Sequence, residues 1–211
     1  MAATVMRPPK TMVDPAAWDQ WWRDQVEYGS VGFMHMFIND GQLVDAMRAN
    51  GFRTVLCVGN GLSQEPRALA LAGFDVTALD LSPAVTGGNR ELDPPEDMLT
   101  KLIGGRSVAA VRGSVDFIAG DLMDPAMCPG PYDVVIERKT LQLFPAEQST
   151  AAIRAVTDRL ASPGIFFSHS HRNLKVYSNR IADWINAEEW PRFRPGEPVT
   201  QRIAWFFSSS G

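Results

Sequence analysis

The sequence contains only two cysteines, Cys57 and Cys128. They stand far apart and in no motif, which argues against a disulfide framework or a thiolate zinc site and is compatible with a reducing compartment. No apolar run approaches the length of a membrane span, and residues 1–15 hold no apolar core of signal-peptide length. We therefore expect a cytoplasmic protein without a membrane partner.

Clusters of basic residues are also missing. Lysine and arginine are dispersed along the chain, and the formal net charge is −4. No track of cations is available for phosphates, so nucleic acid is a poor candidate partner, whereas a small neutral or cationic ligand is compatible with this charge. A length of 211 residues suits one domain with a sizeable core, and it leaves the oligomeric state open.

Strand-like and helix-like segments alternate from Phe52 to about Ser168. This alternation predicts a parallel sheet with helices on both faces, and the long connection Ser82–Gly113 predicts a helix plus a surface insertion. A further strand is predicted near the C-terminus, with a partner at Pro191–Arg194 across the turn formed by residues 195–198. The predicted strands are Phe52–Val58, Phe74–Leu79, Val115–Ala119, Tyr132–Ile136, Gly164–Ser168 and Gln201–Ser208, and the helices between them include Ser63–Ala72 and Ala146–Leu160.

A helical segment precedes the first strand. Asp14 and Pro15 form a plausible N-cap and first helical residue, and Trp18, Trp21 and Trp22 follow at helical spacing. We divide the chain into this prelude, residues 1–50, and a main domain, residues 51–211. The aromatic residues either pack on the sheet or fold across a ligand cleft as a lid, in which case Trp18 and Trp22 contact the substrate.

The stretch VLCVGNGLS runs from a strand into a glycine-rich turn. Gly59 and Gly61 allow a ligand to approach the backbone closely. Asp80 ends the second strand 21 residues after Gly59, close to the separation at which a carboxylate holds ribose hydroxyls. This spacing predicts a nucleoside-containing cofactor over the strand ends.

The turn departs from the dinucleotide-binding fingerprint. Gln64 stands where the third glycine is required. Glu65 falls in the first turn of the following helix, where its carboxylate would repel a pyrophosphate. A cofactor without phosphate, such as S-adenosylmethionine, suits this turn better.

Four segments in this order resemble the class I S-adenosylmethionine-dependent methyltransferases: VLCVGNGLS, VTALDLS, FIAGDLMD and YDVVIERKTLQ. The helical prelude is similar to the branch that contains thiopurine, thiol and tellurite-resistance methyltransferases. The resemblance implies a doubly wound, mostly parallel, seven-stranded Rossmann-like α/β sheet with an antiparallel C-terminal strand. It also implies S-adenosylmethionine as the cofactor, bound by Gly59, Asn60, Gly61, Asp80, Leu81, Asp121, Leu122 and Glu137.

Residues beyond the fourth and fifth strands are candidates for the reaction itself. Glu137 and His169 are candidate catalytic bases, and Arg138 and His171 are candidate substrate contacts. We expect no metal, because the two histidines lack an evident third ligand. Cys57 stands where the family often has an acidic residue for the methionine amino group, so that group needs another partner, such as Glu137 or a backbone carbonyl.

The predicted activity is methyl transfer from S-adenosylmethionine to a small-molecule acceptor. A thiol or another soft or apolar nucleophile is favoured, because a methionine- and aromatic-rich pocket suits it and a thiol needs no protein base. Methylation of a protein side chain and a non-catalytic, methyltransferase-like binding module stay open as alternatives.

Overall fold

The computed structural model describes residues 14–27, 40–170 and 190–208. The helices are α1 (Pro15–Glu27), α2 (Asp40–Ala49), α3 (Glu65–Leu71), α4 (Pro83–Glu91), α5 (Glu96–Leu102) and α6 (Ser149–Thr157). The strands are β1 (Thr54–Val58), β2 (Asp75–Asp80), β3 (Val115–Ala119), β4 (Tyr132–Arg138), β5 (Leu160–Ser170) and β6 (Arg202–Ser208), and a short 3₁₀ turn covers Leu141–Leu143.

The six described strands form one sheet in the order β3-β2-β1-β4-β5-β6, and every neighbouring pair is parallel. The predicted α/β class and parallel central strands are confirmed. Strand order reverses between β1 and β4, so the turns after these strands border the crevice in which such sheets bind ligands.

Two details of the predicted sheet are wrong for the part of the chain that the structure describes. The sheet has six strands rather than seven, and the C-terminal strand β6 runs parallel to β5. Arg192 does bridge β6 at Ala204, but this bridge is also parallel.

The connection into β6 explains its direction. After the turn at residues 195–198, the Val199 backbone N–H donates to Asn50 Oδ1 at 2.7 Å. Asn50 lies at the end of α2, just before β1, and therefore at the amino edge of the sheet. The chain returns to that edge before entering β6, so β6 runs in the same direction as its neighbours.

Apolar side chains pack against both faces of the sheet. Alternation along β4 and β5 sends Ile136 and Phe167 into one cluster and Val135 and Phe166 into the other. Helices α2, α3 and α5 cover the first cluster, and α6 covers the second. Each large side chain buried in this way contributes about 1.5–3 kcal/mol through the hydrophobic effect.

Side-chain caps begin α1 and α4, and the first of these confirms the predicted start at Asp14 and Pro15. Asp14 Oδ1 accepts a hydrogen bond from Ala17 N at 3.1 Å, with Pro15 as the first residue of α1. Ser82 Oγ accepts from Val85 N at the start of α4, where Pro83 is the first helical residue. The long connection after β2 contains two helices, α4 and α5, where one helix and a surface insertion were predicted.

Candidate active site

The glycine turn after β1 is held in a left-handed conformation. Gly59 has φ +60° and Gly61 has φ +52°, values that L residues other than glycine rarely adopt. A side chain on Gly59 would overlap Thr140, and a Cβ on Gly61 would lie 2.8 Å from the indole ring of Trp22. Both glycines are therefore needed by close contacts within the chain itself.

Asp80, at the end of β2, connects the glycine turn to α4. Its Oδ2 accepts from Gly61 N at 2.9 Å, and its Oδ1 accepts from Ser82 N at 3.0 Å. The carboxyl group is buried. Desolvation raises the pKa of Asp80 to about 6, and the negative charge of Asp19 adds to this effect. Backbone hydrogen bonds from Ser82, Gly61 and Leu81 oppose it.

Helix α1 covers this corner of the site. Asp19 Oδ1 accepts from Ser82 Oγ at 2.6 Å and from Ala84 N at 3.0 Å, so a residue of α1 caps α4. Although burial opposes ionisation, hydrogen bonds from Ser82 and Ala84 lower the pKa of Asp19. Because Trp22 also lies against Gly61, α1 sits on the predicted cofactor side of the crevice.

The tryptophans of α1 form a contiguous group. The rings of Trp18 and Trp21 are 5.8 Å apart, and those of Trp21 and Trp22 are 4.5 Å apart, with edge-to-face geometry in both pairs. Trp18 is buried. Residues 1–13 and 28–39 of the predicted prelude lie outside the described residues.

The side chain of Asn60 lies at the centre of the glycine turn. Its Nδ2 donates to Gly61 O at 2.7 Å, and Asn89 Nδ2 donates to the same carbonyl oxygen at 2.7 Å. Asn60 Oδ1 is buried, and the described residues place no donor within hydrogen-bonding distance of it. Such an acceptor carries a desolvation cost that a ligand donor would remove.

Three residues that were predicted to bind the cofactor, Asp121, Leu122 and Leu81, differ in exposure. Asp121 is exposed, and its Oδ1 accepts from Met123 N at 2.8 Å. Leu122 is buried in the second core cluster, whereas Leu81 is half-buried. These residues follow β3 and β2, the two neighbouring strands on this side of the crevice.

Glu137, near the end of β4, is buried and fully engaged. Its Oε2 accepts from Thr140 N at 3.1 Å and from Leu141 N at 3.2 Å, and its Oε1 accepts from Ser168 Oγ. Burial raises the pKa of Glu137, against the effect of these hydrogen bonds. The carboxylate thus orders the turn after β4.

Arg138 points to the other face of β4, where it meets Glu65. Arg138 Nε lies 2.9 and 2.8 Å from the two carboxylate oxygens of Glu65, and Nη2 also contacts Oε1. The side chains are only 8% and 4% exposed, so this is a buried ion pair. Arg138 Nη1 lies 3.2 Å from Nδ1 of His169.

Lys139 follows at φ +61°, a strained conformation for a residue with a side chain. Its backbone N–H donates to His169 O at 2.8 Å. The ammonium group is half-buried, and burial and the charge of Arg138 lower its pKa. Thr140 comes next, with Oγ1 3.1 Å from Val58 O, and so ties β4 to the glycine turn.

The structure brings most of the predicted site residues to one edge of the sheet. Gly61 and Asp80 lie beside α1. Glu137 and Arg138 are the last two residues of β4, and His169 lies near the end of β5. The other predicted histidine, His171, lies outside the described residues. Within residues 14–27, 40–170 and 190–208, no three His, Cys, Asp or Glu side chains converge as a metal site would require.

Sequence reasoning missed two contributors, Asp19 and Thr140. The requirement for glycine at position 59 reflects Thr140, but nothing in the local sequence identifies that neighbour. Asp19 is a typical exposed helix residue by pattern, and only the docking of α1 gives it a role. The described helices include none that is long and apolar enough to cross a membrane.

The sequence matches no family model and no curated protein. Solved structures nevertheless resemble it. An O-methyltransferase family protein from Burkholderia thailandensis is 15% identical over 89% of this chain and 60% of that one, with a TM-score of 0.51. A TehB-like SAM-dependent methyltransferase from Corynebacterium glutamicum is 19% identical over 71% and 68%, with a TM-score of 0.44.

A third similar structure comes from work on the conversion of a disulfide bond into a thioacetal group during echinomycin biosynthesis. It is 22% identical over 58% of this chain and 47% of that one, with a TM-score of 0.42. The chain thus spans about half to two thirds of the length of these proteins. At such identities the likeness shows the fold alone: the chain shares its fold with the O-methyltransferase family protein.

Proposed function

We propose that this protein transfers a methyl group from S-adenosylmethionine to a small-molecule acceptor. The observation that carries the proposal is the hydrogen bond between Gly61 N and Asp80 Oδ2 at the strand-order reversal. It joins a glycine turn to a carboxylate at the ends of two adjacent parallel strands, the arrangement that holds a nucleoside in sheets of this type.

The hydrogen-bond acceptors in the glycine turn also fit this cofactor. Its methionine amino group needs an acceptor, and Cys57 replaces the acidic residue that the methyltransferase resemblance leads one to expect. Asn60 Oδ1 is a buried acceptor without a described donor, at the turn where the amino-acid portion would lie. We assign the amino group to Asn60 rather than to Glu137, whose oxygens already accept three hydrogen bonds.

The sulfonium cofactor supplies an activated methyl group, so the protein chiefly has to hold an acceptor in line with it. Helix α1 serves the cofactor side by covering Asp80 and Gly61 and excluding water. Because Trp22 lies against Gly61, α1 must shift to admit a ligand and can close again over it.

The surroundings of the strand ends favour an acceptor that needs no protein base. Glu137 is buried under three donors, and Nδ1 of His169 faces Arg138. Among the described candidates, neither is poised to remove a proton. We therefore favour a thiol or another soft nucleophile as the acceptor, since a thiol is readily deprotonated near neutral pH.

Calorimetry with S-adenosylhomocysteine tests the cofactor assignment. Asp80→Ala is expected to weaken its binding by about 1.5–3 kcal/mol through loss of charge-assisted hydrogen bonds. Asn60→Ala should weaken S-adenosylhomocysteine but leave 5′-methylthioadenosine unchanged, because the latter lacks the amino-acid portion. Asp116→Ala, which removes an exposed carboxylate on β3, is the matched control.

Thermal unfolding with a ligand panel separates this proposal from a dinucleotide-binding one. The strand order β3-β2-β1-β4-β5-β6 is also that of dinucleotide-binding sheets, so NAD and NADP belong in the panel. S-adenosylhomocysteine at 100 times its dissociation constant should add about 2.7 kcal/mol to the free energy of unfolding. Stabilisation by NAD alone would contradict the proposal.

A non-catalytic binding module is the second candidate. Two observations favour it. Contacts with Thr140 and Trp22 explain Gly59 and Gly61 without any ligand, and α1 already covers Asp80. A folded protein that binds neither S-adenosylhomocysteine nor a dinucleotide would support this alternative.

A further inference from the structure

The ion pair between Glu65 and Arg138 has features of a built site. Glu65 stands in the first turn of α3 and Arg138 at the end of β4, and the guanidinium grips both carboxylate oxygens. The guanidinium also lies 4.9 Å from the centre of the Phe167 ring. A buried, bidentate ion pair has a fixed orientation, and removing one partner leaves the charge of the other uncompensated.

His169 is the next residue in this chain of contacts. It is paired with Arg138 in the register of β4 and β5, and its side chain is on the same face of β5 as Phe167. Arg138 Nη1 lies 3.2 Å from His169 Nδ1. A guanidinium has donors only, so Nδ1 must accept this hydrogen bond with its lone pair.

The form of the imidazole follows from this geometry. A neutral ring whose Nδ1 is an acceptor carries its proton on Nε2. Protonating Nδ1 would set an N–H against the N–H of Arg138 and add a positive charge beside the guanidinium. The basic nitrogen of His169 is therefore occupied, and its remaining nitrogen is a donor.

The other described charges near His169 do not reverse this preference. Glu65 is consumed by Arg138, and Glu137 accepts from Ser168 and two backbone N–H groups on the opposite face of the strands. Lys139, whose backbone donates to His169 O, adds positive charge to the same strand end. Each of these groups leaves the neutral imidazole as the preferred form.

We infer that Glu65 and Arg138 are positioning residues that hold His169 as a neutral Nε2–H donor, so that β5 ends in a hydrogen-bond donor instead of a general base. The consequence for catalysis rests on the proposed function: the methyl acceptor meets a donor here and carries a hydrogen-bond-accepting group, such as a thiolate, carboxylate or carbonyl. Deprotonation of the acceptor by His169 is then excluded.

Long-range proton–nitrogen NMR on protein with ¹⁵N-labelled histidine tests the inference without cofactor or substrate. The chain has three histidines, and His169→Gln identifies the signals of interest. The wild-type protein should show unprotonated Nδ1 and protonated Nε2 for His169. The signals of this ring should not change between pH 5.5 and 8, whereas an ordinary histidine titrates with a midpoint of about 6.5. A Nδ1–H form, or an imidazolium within that range, would overturn the inference.

Variants show whether Arg138 is responsible. Arg138→Met should give His169 a titration midpoint shifted upward toward about 6.5, and Arg138→Lys, which keeps a donor, should restore the neutral form in part. Arg112→Met breaks an exposed ion pair with Glu96 and should leave the His169 signals unchanged. If Arg138→Met does not fold, the wild-type spectrum and Arg138→Lys decide the question.

The result is separable from the outcome of the proposed function. The expected His169 spectrum in a protein that fails to bind S-adenosylhomocysteine would refute the methyltransferase proposal and leave this inference intact. Binding of S-adenosylhomocysteine by a protein whose His169 titrates normally would do the reverse.

Discussion

The contribution of Asp80 to the stability of the ligand-free protein should fall as the pH rises from about 4 to 7, because this carboxyl group ionises in a buried position. Its pKa is about 6 in the folded chain, against an ordinary value of 3.8. The folded state therefore holds a proton that the unfolded state has released, and raising the pH favours unfolding. The stabilisation from the protonated carboxyl is complete below about pH 3.8 and lost above about pH 6.

The size of the effect follows from the shift. A displacement of about two pH units corresponds to about 3 kcal/mol, at 1.36 kcal/mol per unit. Asp80→Asn removes the titration while keeping the shape of the side chain, although the amide can accept only one of the two hydrogen bonds from Gly61 and Ser82. The absolute stability of this variant therefore combines two effects, the lost titration and the lost hydrogen bond, whereas the pH dependence reports the titration alone.

Urea denaturation of wild type and Asp80→Asn at pH 4.5, 5.5, 6.5 and 7.5 provides that measurement. The difference in unfolding free energy between the two proteins should change by about 2 kcal/mol across the series, with the wild type becoming less stable relative to the variant as the pH rises. A difference that stays constant would refute the assignment of a raised pKa to Asp80. Asp19→Asn should reduce the effect, because it removes a neighbouring charge and loosens the cover of α1.

Two further predictions concern contacts that hold the site together. Arg138→Met should destabilise the protein by about 3–5 kcal/mol in urea denaturation by leaving Glu65 buried and uncompensated, whereas the exposed control Arg112→Met should cost less than about 1 kcal/mol; equal losses would contradict the buried pair. Gly61→Ala and Trp22→Ala should be non-additive by about 0.5–3 kcal/mol, because the added methyl group meets the indole ring, and additive losses would argue against docking of α1 on the glycine turn.

Local patterns predicted the central part of the fold well. Strand β3 matches the prediction Val115–Ala119, and the other central strands agree within a few residues at their ends. These segments are short apolar runs bounded by glycine, aspartate or proline, so their type and position are encoded locally. The same patterns placed Gly59, Asp80 and Glu137 at one edge, because carboxyl ends of parallel strands must meet there.

The direction of β6 and the pairing of residues that are distant in the sequence could not be predicted from local patterns. A turn rich in proline and glycine before β6 suggests a hairpin, but the contact between Val199 and Asn50 leads the chain back to the amino edge and makes the strand parallel. Likewise, Glu65 lies in the first turn of a helix, as predicted, and Arg138, predicted just beyond the fourth strand, is its last residue. Their pairing depends on which rotamers the packed core allows, and that information is tertiary.

The two halves of the candidate site differ in whether their carboxylates are available to a ligand, and this difference determines which hydrogen bonds each half can make. On the side of β2, Asp80 is covered by α1, and the proposed function requires this helix to move away so that ribose hydroxyls can reach the carboxylate. On the side of β4, the carboxylates of Glu65 and Glu137 both accept hydrogen bonds from within the protein. Arg138 donates to Nδ1 of His169 in the inferred arrangement, which leaves Nε2–H as the donor of the ring. Under the proposed function the described side chains of the first half accept hydrogen bonds from a nucleoside, and those of the second half offer donors. A ligand that bridges the halves must therefore present donors to β2 and an electron-rich group to β5, which is the polarity required when a nucleophile is held against an activated methyl group.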